Sequence, residues 1–217
     1  MNIKRRFHFL SAFLAPFIFS TRSGHFLSAI KSRAVDRRGE ALPWYSYPAI
    51  DYLSELDFSE AEVLEFGGGQ STAWWCERAK SVTCLEADKH WSAELSKRLG
   101  ERATIHHVGS PTEAAKTIGD HQFDVIVVDD GSGVGPEGRV DNAKTAFKQV
   151  KPYGLVIADN SDAPYSHPIA KIAYEAGWCR IDFLGFAPGS LKPYCTSLFF
   201  KELSPTLRIP SPPHVRK

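Results

Sequence analysis

Four short stretches of this chain carry residues able to do chemistry. Glu65-Phe66-Gly67-Gly68-Gly69 sets a carboxylate immediately before a glycine bend. Glycine lets a backbone turn sharply and lets a ligand approach closely. A helix beginning after the bend turns its free N–H groups and its positive dipole end toward the same point, where a carboxylate or phosphate is a natural guest. Glu86 ends the next apolar run. A carboxylate at the tip of a second parallel strand accepts hydrogen bonds from the two hydroxyls of a ribose, so the pair points to a ligand that contains a nucleoside. Asp129-Asp130 and Asp159-Asn160 end two later apolar runs. Such oxygen groups suit Mg2+, and equally serve as turn formers and helix caps. Asp129 and His167 are the candidate bases, His167 standing also as an ordinary loop histidine.

The identity of the nucleoside follows from what surrounds the bend. Gly67 and Gly69 match the start of the dinucleotide pattern G-x-G-x-x-G, but Thr72 stands where the third glycine belongs. Glu65 would repel a pyrophosphate and attract the amino group of a methionine moiety. The balance favours S-adenosylmethionine (SAM) over NAD. Methyl transfer from its sulfonium is an in-line displacement, in which the protein's main task is to orient the acceptor.

The elements that must hold these residues alternate regularly. Strands are expected at 63–66, 81–86, 103–108, 123–129 and 154–159. Helices are expected at 71–80, 89–99, 140–150 and 169–176, two of them stopped by Gly100 and Gly177. Apolar strands alternating with helices predict an α/β fold: a doubly wound, mostly parallel seven-stranded Rossmann-like sheet. Runs at 181–186 and 196–200 lack a helix between them and predict a C-terminal antiparallel hairpin at a sheet edge. Trp74 and Trp75 read as packing residues. Trp44, Tyr45 and Tyr47 read either as a lid or as simple docking of the N-terminal arm. A helix is expected to start near Ala49, just after Pro48. The division is an arm at 1–48, a SAM-binding domain at 49–202 and a Pro-rich, disordered tail at 203–217.

Composition bounds the partners. The 217 residues carry a net charge of +1, which gives no global electrostatic case for nucleic acid. Cys76, Cys84, Cys179 and Cys195 form no C-x-x-C pair, so zinc spacing is absent and free thiols are expected. Lys4-Arg5-Arg6 precedes an apolar run interrupted by Pro16. It reads as a helix on the domain or at a membrane surface, as an uncleaved anchor, or as an export signal. Dependence on a cytosolic cofactor argues for a cytoplasmic protein, with peripheral membrane contact through residues 4–19.

The quoted motifs resemble those of class I SAM-dependent methyltransferases over about residues 60–201. Val63-Leu64-Glu65-Phe66-Gly67-Gly68-Gly69 is similar to their first motif, Leu85-Glu86-Ala87-Asp88 to their acidic second motif, and the runs ending at Asp129 and Asp159 to their strands four and five. The resemblance implies that Glu65, Gly67, Gly68 and Gly69 line the methionine end of SAM and that Glu86 holds the ribose. It implies that Ser110, in His107-Val108-Gly109-Ser110, lies by the adenine, although the usual acidic residue is missing there. Asp129, Asp159 and Asn160 are similar to the metal site of the catechol- and caffeoyl-type O-methyltransferases, which implies Mg2+. The expected reaction is O-methylation of a small hydroxylated metabolite, sugar or lipid-linked acceptor, with no nucleic-acid partner. The rivals are a non-catalytic SAM-binding module and aminopropyl transfer. The latter rests on Asp129-Asp130-Gly131-Ser132-Gly133-Val134-Gly135-Pro136, similar to spermidine synthases except that Ser132 replaces an aspartate.

Overall fold

A computed structural model of the chain describes residues 3–130 and 134–202, and side-chain surroundings from residue 10 onward. The expected tail at 203–217, the side chains of Lys4-Arg5-Arg6, and Gly131-Ser132-Gly133 of the aminopropyltransferase-like motif lie outside the described residues. Three helices come first: α1 (Ile3–Arg22), α2 (His25–Lys31) and α3 (Tyr47–Ser54). The alternating part follows as β1 (Glu62–Phe66), α4 (Gln70–Cys76), β2 (Ser81–Glu86), α5 (Lys89–Leu99), β3 (Thr104–His107), α6 (Pro111–Ile118), β4 (Phe123–Val128), α7 (Gly135–Gln149), β5 (Val150–Ala158) and α8 (His167–Glu175). It ends in β6 (Cys179–Phe186) and β7 (Pro193–Phe200).

The seven strands form one sheet in the order β3-β2-β1-β4-β5-β7-β6. β1 to β5 are parallel, and β7 enters antiparallel between β5 and β6. The near-continuous apolar strands supply two cores, one per face, by the period-two alternation of a strand. Val63, Val125, Val127, Leu155, Ile157 and Leu198 face one layer with Trp74 and Trp75. Leu64, Ile126, Val128, Val156, Ala158 and Phe199 face the other. The strand order reverses between β1 and β4, and in such sheets ligands bind beyond the carboxyl ends at that point.

Local signals explain most boundaries. The Asp88 carboxylate accepts the His90 and Trp91 N–H groups, both at 2.8 Å, and starts α5. Ser110 caps the unanticipated α6 by accepting Glu113 N–H at 3.2 Å, and Pro111 occupies its first turn. Pro48 likewise sits inside the first turn of α3, where a missing N–H is harmless, so that helix starts before it. β5 runs back through Pro152 to Val150, four residues earlier than the apolar run predicts. Pro16 does not end α1. Among the described residues no helix is long and apolar enough to cross a membrane. No disulfide links the four cysteines, and only Cys84 and Cys195 are buried.

The arm before α3 is built into the domain. Tyr45 is fully buried and Tyr47 nearly so, in the same core as Trp74 and Trp75. Ser46 N–H donates to Thr196 Oγ1 at 2.9 Å, Ser46 Oγ donates to the Phe183 carbonyl at 2.7 Å, and Trp44 Nε1 donates to the Pro188 carbonyl at 3.1 Å.

Candidate active site

The glycine bend is forced by contact. Gly67 has φ +83°, and a Cβ there would lie 2.7 Å from the Asp129 carbonyl oxygen. At Gly68 a Cβ would lie 2.5 Å from Cys84 Sγ. Among the described residues, chain neighbours aside, nothing comes nearer than 4.0 Å to the corresponding point on Gly69, so the outer side of the bend is open to a ligand.

Glu65 lies under the bend, fully buried. Its Oε2 accepts the Thr72 hydroxyl at 2.5 Å, and Thr72 Oγ1 accepts Gly69 N–H at 2.9 Å. Thr72 therefore ties the carboxylate to the bend, a use the missing third glycine of a dinucleotide site does not suggest. Glu65 Oε1 is buried with no partner among the described residues. Burial raises the carboxyl to about 7; the neighbouring Ser71 hydroxyl and the Thr72 hydrogen bond oppose this, and the charge of nearby Glu86 adds to it. Glu86, at the tip of β2, accepts Gly68 N–H on Oε2 and Asp88 N–H on Oε1, both at 2.8 Å. Each of its oxygens retains a second lone pair. Ser110 and Asn142 complete a narrow cleft with Gly67, Leu85, Glu86 and Asp130, of about 30 Å3.

A second acidic group stands at the tips of β4 and β5. Burial, then the charge of Asp159, holds the half-buried Asp129 carboxyl well above the usual range, against the pull of Arg139. Asp130 is buried and also raised by burial; its Oδ2 accepts Asn142 Nδ2–H at 2.6 Å. Asp159 is buried, its Oδ1 accepts the Thr196 hydroxyl at 2.6 Å, and burial raises it to about 6. Arg139, from α7, is the cation of this group. Its guanidinium is buried and donates to the carbonyls of Asp130 at 2.9 Å, of Val128 at 3.0 Å, and of Asp159. It clamps the two strand ends together. Beside it, Asp129, Pro136, Asn160 and Tyr165 line a separate cavity of about 260 Å3.

The structure thus gathers Glu65, Gly67, Gly68, Gly69, Glu86, Ser110, Asp129, Asp159 and Asn160 at one end of the sheet. It leaves His167 exposed at the start of α8, outside the linings of both clefts. Arg139, Asn142 and Thr196 belong to the site and escape sequence reasoning, which meets Thr72 only as a departure from the dinucleotide pattern. Tyr45 carried a signal, as part of an aromatic stretch. Nothing among the described residues supports the expected Mg2+ site. Asp159 directs Oδ1 at Thr196, a guanidinium already spans both strand tips, and among the described residues no group of three or more His, Cys, Asp or Glu is placed to hold an ion.

No family model matches the chain, and no curated protein matches it. Solved structures do. A methyltransferase from Pyrococcus furiosus is 18% identical with a TM-score of 0.55, covering 85% of this chain and 100% of that one. The precorrin-6y C5,15-methyltransferase of Geobacter metallireducens is 14% identical with a TM-score of 0.56, covering 80% and 96%. The 16S rRNA N2 G1207 methyltransferase of T. thermophilus, solved with SAM and guanosine, is 17% identical with a TM-score of 0.54, covering 72% and 43%. The chain has the Rossmann-like fold of class I SAM-dependent methyltransferases. Its seven-stranded sheet with the antiparallel C-terminal hairpin is the architecture the sequence predicted. The expectation of a small-molecule acceptor and no nucleic-acid partner is corrected here, because several structural neighbours are rRNA or RNA methylases. A net charge near zero does not by itself exclude an acceptor within a nucleic acid. These neighbours lend no support to membrane contact through residues 4–19.

Proposed function

We propose that this chain is a SAM-dependent methyltransferase. The observation that carries the proposal is Glu65 Oε1, a buried acceptor without a partner beneath an open glycine bend. Desolvated acceptors of this kind are costly unless a ligand completes them. Glu86 and Asp130 stand along the same cleft, so the wall is acidic and suits a ligand with positive charge. SAM supplies an activated methyl group on a sulfonium and carries an ammonium as well. Glu65 would accept from that ammonium and regain its own full charge in doing so. Glu86 would take the ribose hydroxyls on its free lone pairs, and Ser110 would border the adenine. A dinucleotide would set a pyrophosphate against the same carboxylates and be repelled. Asp129, in the lining of the second cavity, is the group placed to receive a proton from the acceptor.

Calorimetric titration tests the assignment. The wild-type protein is expected to bind SAM and S-adenosylhomocysteine (SAH) and to give no heat with NAD. Glu65→Gln is expected to weaken SAM about tenfold, in line with the loss of one charge-assisted hydrogen bond. NAD binding in preference to SAM, or SAM binding unchanged by Glu65→Gln, would reject the proposal.

A further inference from the structure

We infer that the cavity beside Asp129 takes a nucleobase, and that the methyl acceptor is a nitrogen of that base. The inference rests on the methyltransferase reading above and adds the substrate class.

The size and lining of the cavity select the guest. Its volume of about 260 Å3 falls just below the roughly 300–1,000 Å3 of pockets for drug-sized ligands, so it suits one planar ring system rather than an extended chain. Tyr165 lies on the 3-10 turn Pro164–Ser166 with 43% of its surface exposed, and the Arg139 guanidinium stands 5.9 Å from its ring centroid. That ring is a platform for stacking, backed by a fixed cation. Asn160 lies at the rim with φ +46°, a left-handed conformation that asparagine tolerates better than most side chains. Its side-chain amide makes no hydrogen bond among the described residues, and it presents a donor and an acceptor side by side. An amide of this kind pairs two-pronged with the edge of a base, as with the N6 and N7 atoms of adenine.

The same residues argue against other guests. A phosphate would face Asp129 and Asp130, while both terminal nitrogens of Arg139 already donate to backbone carbonyls. A sugar would need a partner for each hydroxyl, and the described lining offers one amide, the two aspartates and Arg139, whose terminal nitrogens already donate to carbonyls, beside Pro136, Gly135 and Tyr165.

The transfer balances with groups already named. The nitrogen lone pair forms the new N–C bond as the C–S bond breaks. The electron pair of that bond stays on sulfur and leaves a neutral thioether. The proton released by the nitrogen passes to the Asp129 carboxylate and from there to water.

The test has two readouts. In the first, the cofactor cleft is saturated with SAH so that adenosine cannot occupy it. Adenosine, guanosine, cytidine and uridine are then offered to the protein in saturation-transfer NMR. Binding of at least one amino-bearing nucleoside is expected. Tyr165→Ala should weaken it about tenfold, the scale of one lost stacking contact, with Tyr165→Phe retaining it and SAH affinity unchanged in both. In the second, RNA and DNA from cells deleted for the gene are incubated with the protein and methyl-labelled SAM, then digested to nucleosides. Label on a base nitrogen supports the inference, and the RNA and DNA arms say which polymer carries it. No nucleoside bound to the SAH-loaded protein, label on ribose, or no label in either polymer overturns it while leaving the cofactor assignment standing. Failure to bind SAH overturns both.

Discussion

The two halves of the site are built differently. At the tips of β1 and β2 the working groups come from two short continuous stretches, 65–72 and 86–88, and hold one another through local hydrogen bonds. At the tips of β4 and β5 they come from five separate places. Asp129 and Asp130 leave β4, Asp159 leaves β5, Arg139 and Asn142 reach in from α7, Thr196 from β7 and Tyr45 from the N-terminal arm. Tyr45 is fully buried, and burial and the charge of Glu65 drive its phenol well above the ordinary range. A cofactor common to many reactions can be met by a compact local device, whereas an acceptor is met by parts the whole fold must bring together.

If that contrast is right, the largest effect should come from the clamp between the distant parts. Arg139→Met removes the buried cation and leaves three carbonyls and the Asp129–Asp159 pair uncompensated. A loss of about 3–5 kcal/mol is expected in urea unfolding, the usual cost of breaking a buried charged arrangement from one side. A loss below about 1 kcal/mol would show that the two strand tips hold themselves.

The local half is broken most directly at the bend. Gly67→Ala combines a left-handed backbone with a 2.7 Å approach to the Asp129 carbonyl. It should cost about 2 kcal/mol and weaken SAM binding, readable in one thermal-shift series with and without SAM.

pH sharpens the comparison further. Glu65 is raised in the folded chain to about 7 from 4.5, so the native state holds a proton that the unfolded state has released. Its contribution to stability is complete below about pH 4.5 and is lost as pH rises toward 7. Asp159, raised to about 6, acts in the same direction over a lower window. The ligand-free protein should therefore lose midpoint temperature between pH 5 and 8. Glu65→Gln should flatten the upper part of that decline and Asp159→Asn the lower part. A midpoint that rises across this range would contradict the burial of these carboxylates.

The smallest effect is expected at His167, which is exposed and outside both clefts. His167→Ala should stay within about 0.5 kcal/mol of wild type and leave SAM affinity unchanged in the calorimeter.

The contrast also explains what could be read in advance. The strands, the bend, Glu65 and Glu86 follow from apolar runs, glycine and residue type, all encoded within a few residues. The α6 helix escaped, although Ser110-Pro111 with Glu113 is a start signal, because its apolar stripe is only two buried residues, Ala114 and Ile118. Arg139 looks in the sequence like any charged residue on an amphipathic helix; only the fold shows that it points inward at three carbonyls. Asp159 and Asn160 read as metal ligands because residue type is visible in sequence, while the Thr196 hydroxyl that engages Asp159 is supplied from a strand 37 residues away.

The central claim is that Glu65 and Glu86 together hold a cationic nucleoside at the glycine bend. A crystal structure of the protein with SAH tests it most directly. The amino group of SAH is predicted within hydrogen-bond distance of Glu65 Oε1, with the ribose hydroxyls on Glu86. SAH bound elsewhere, or bound at the bend with Glu65 Oε1 still unpartnered, would contradict the account.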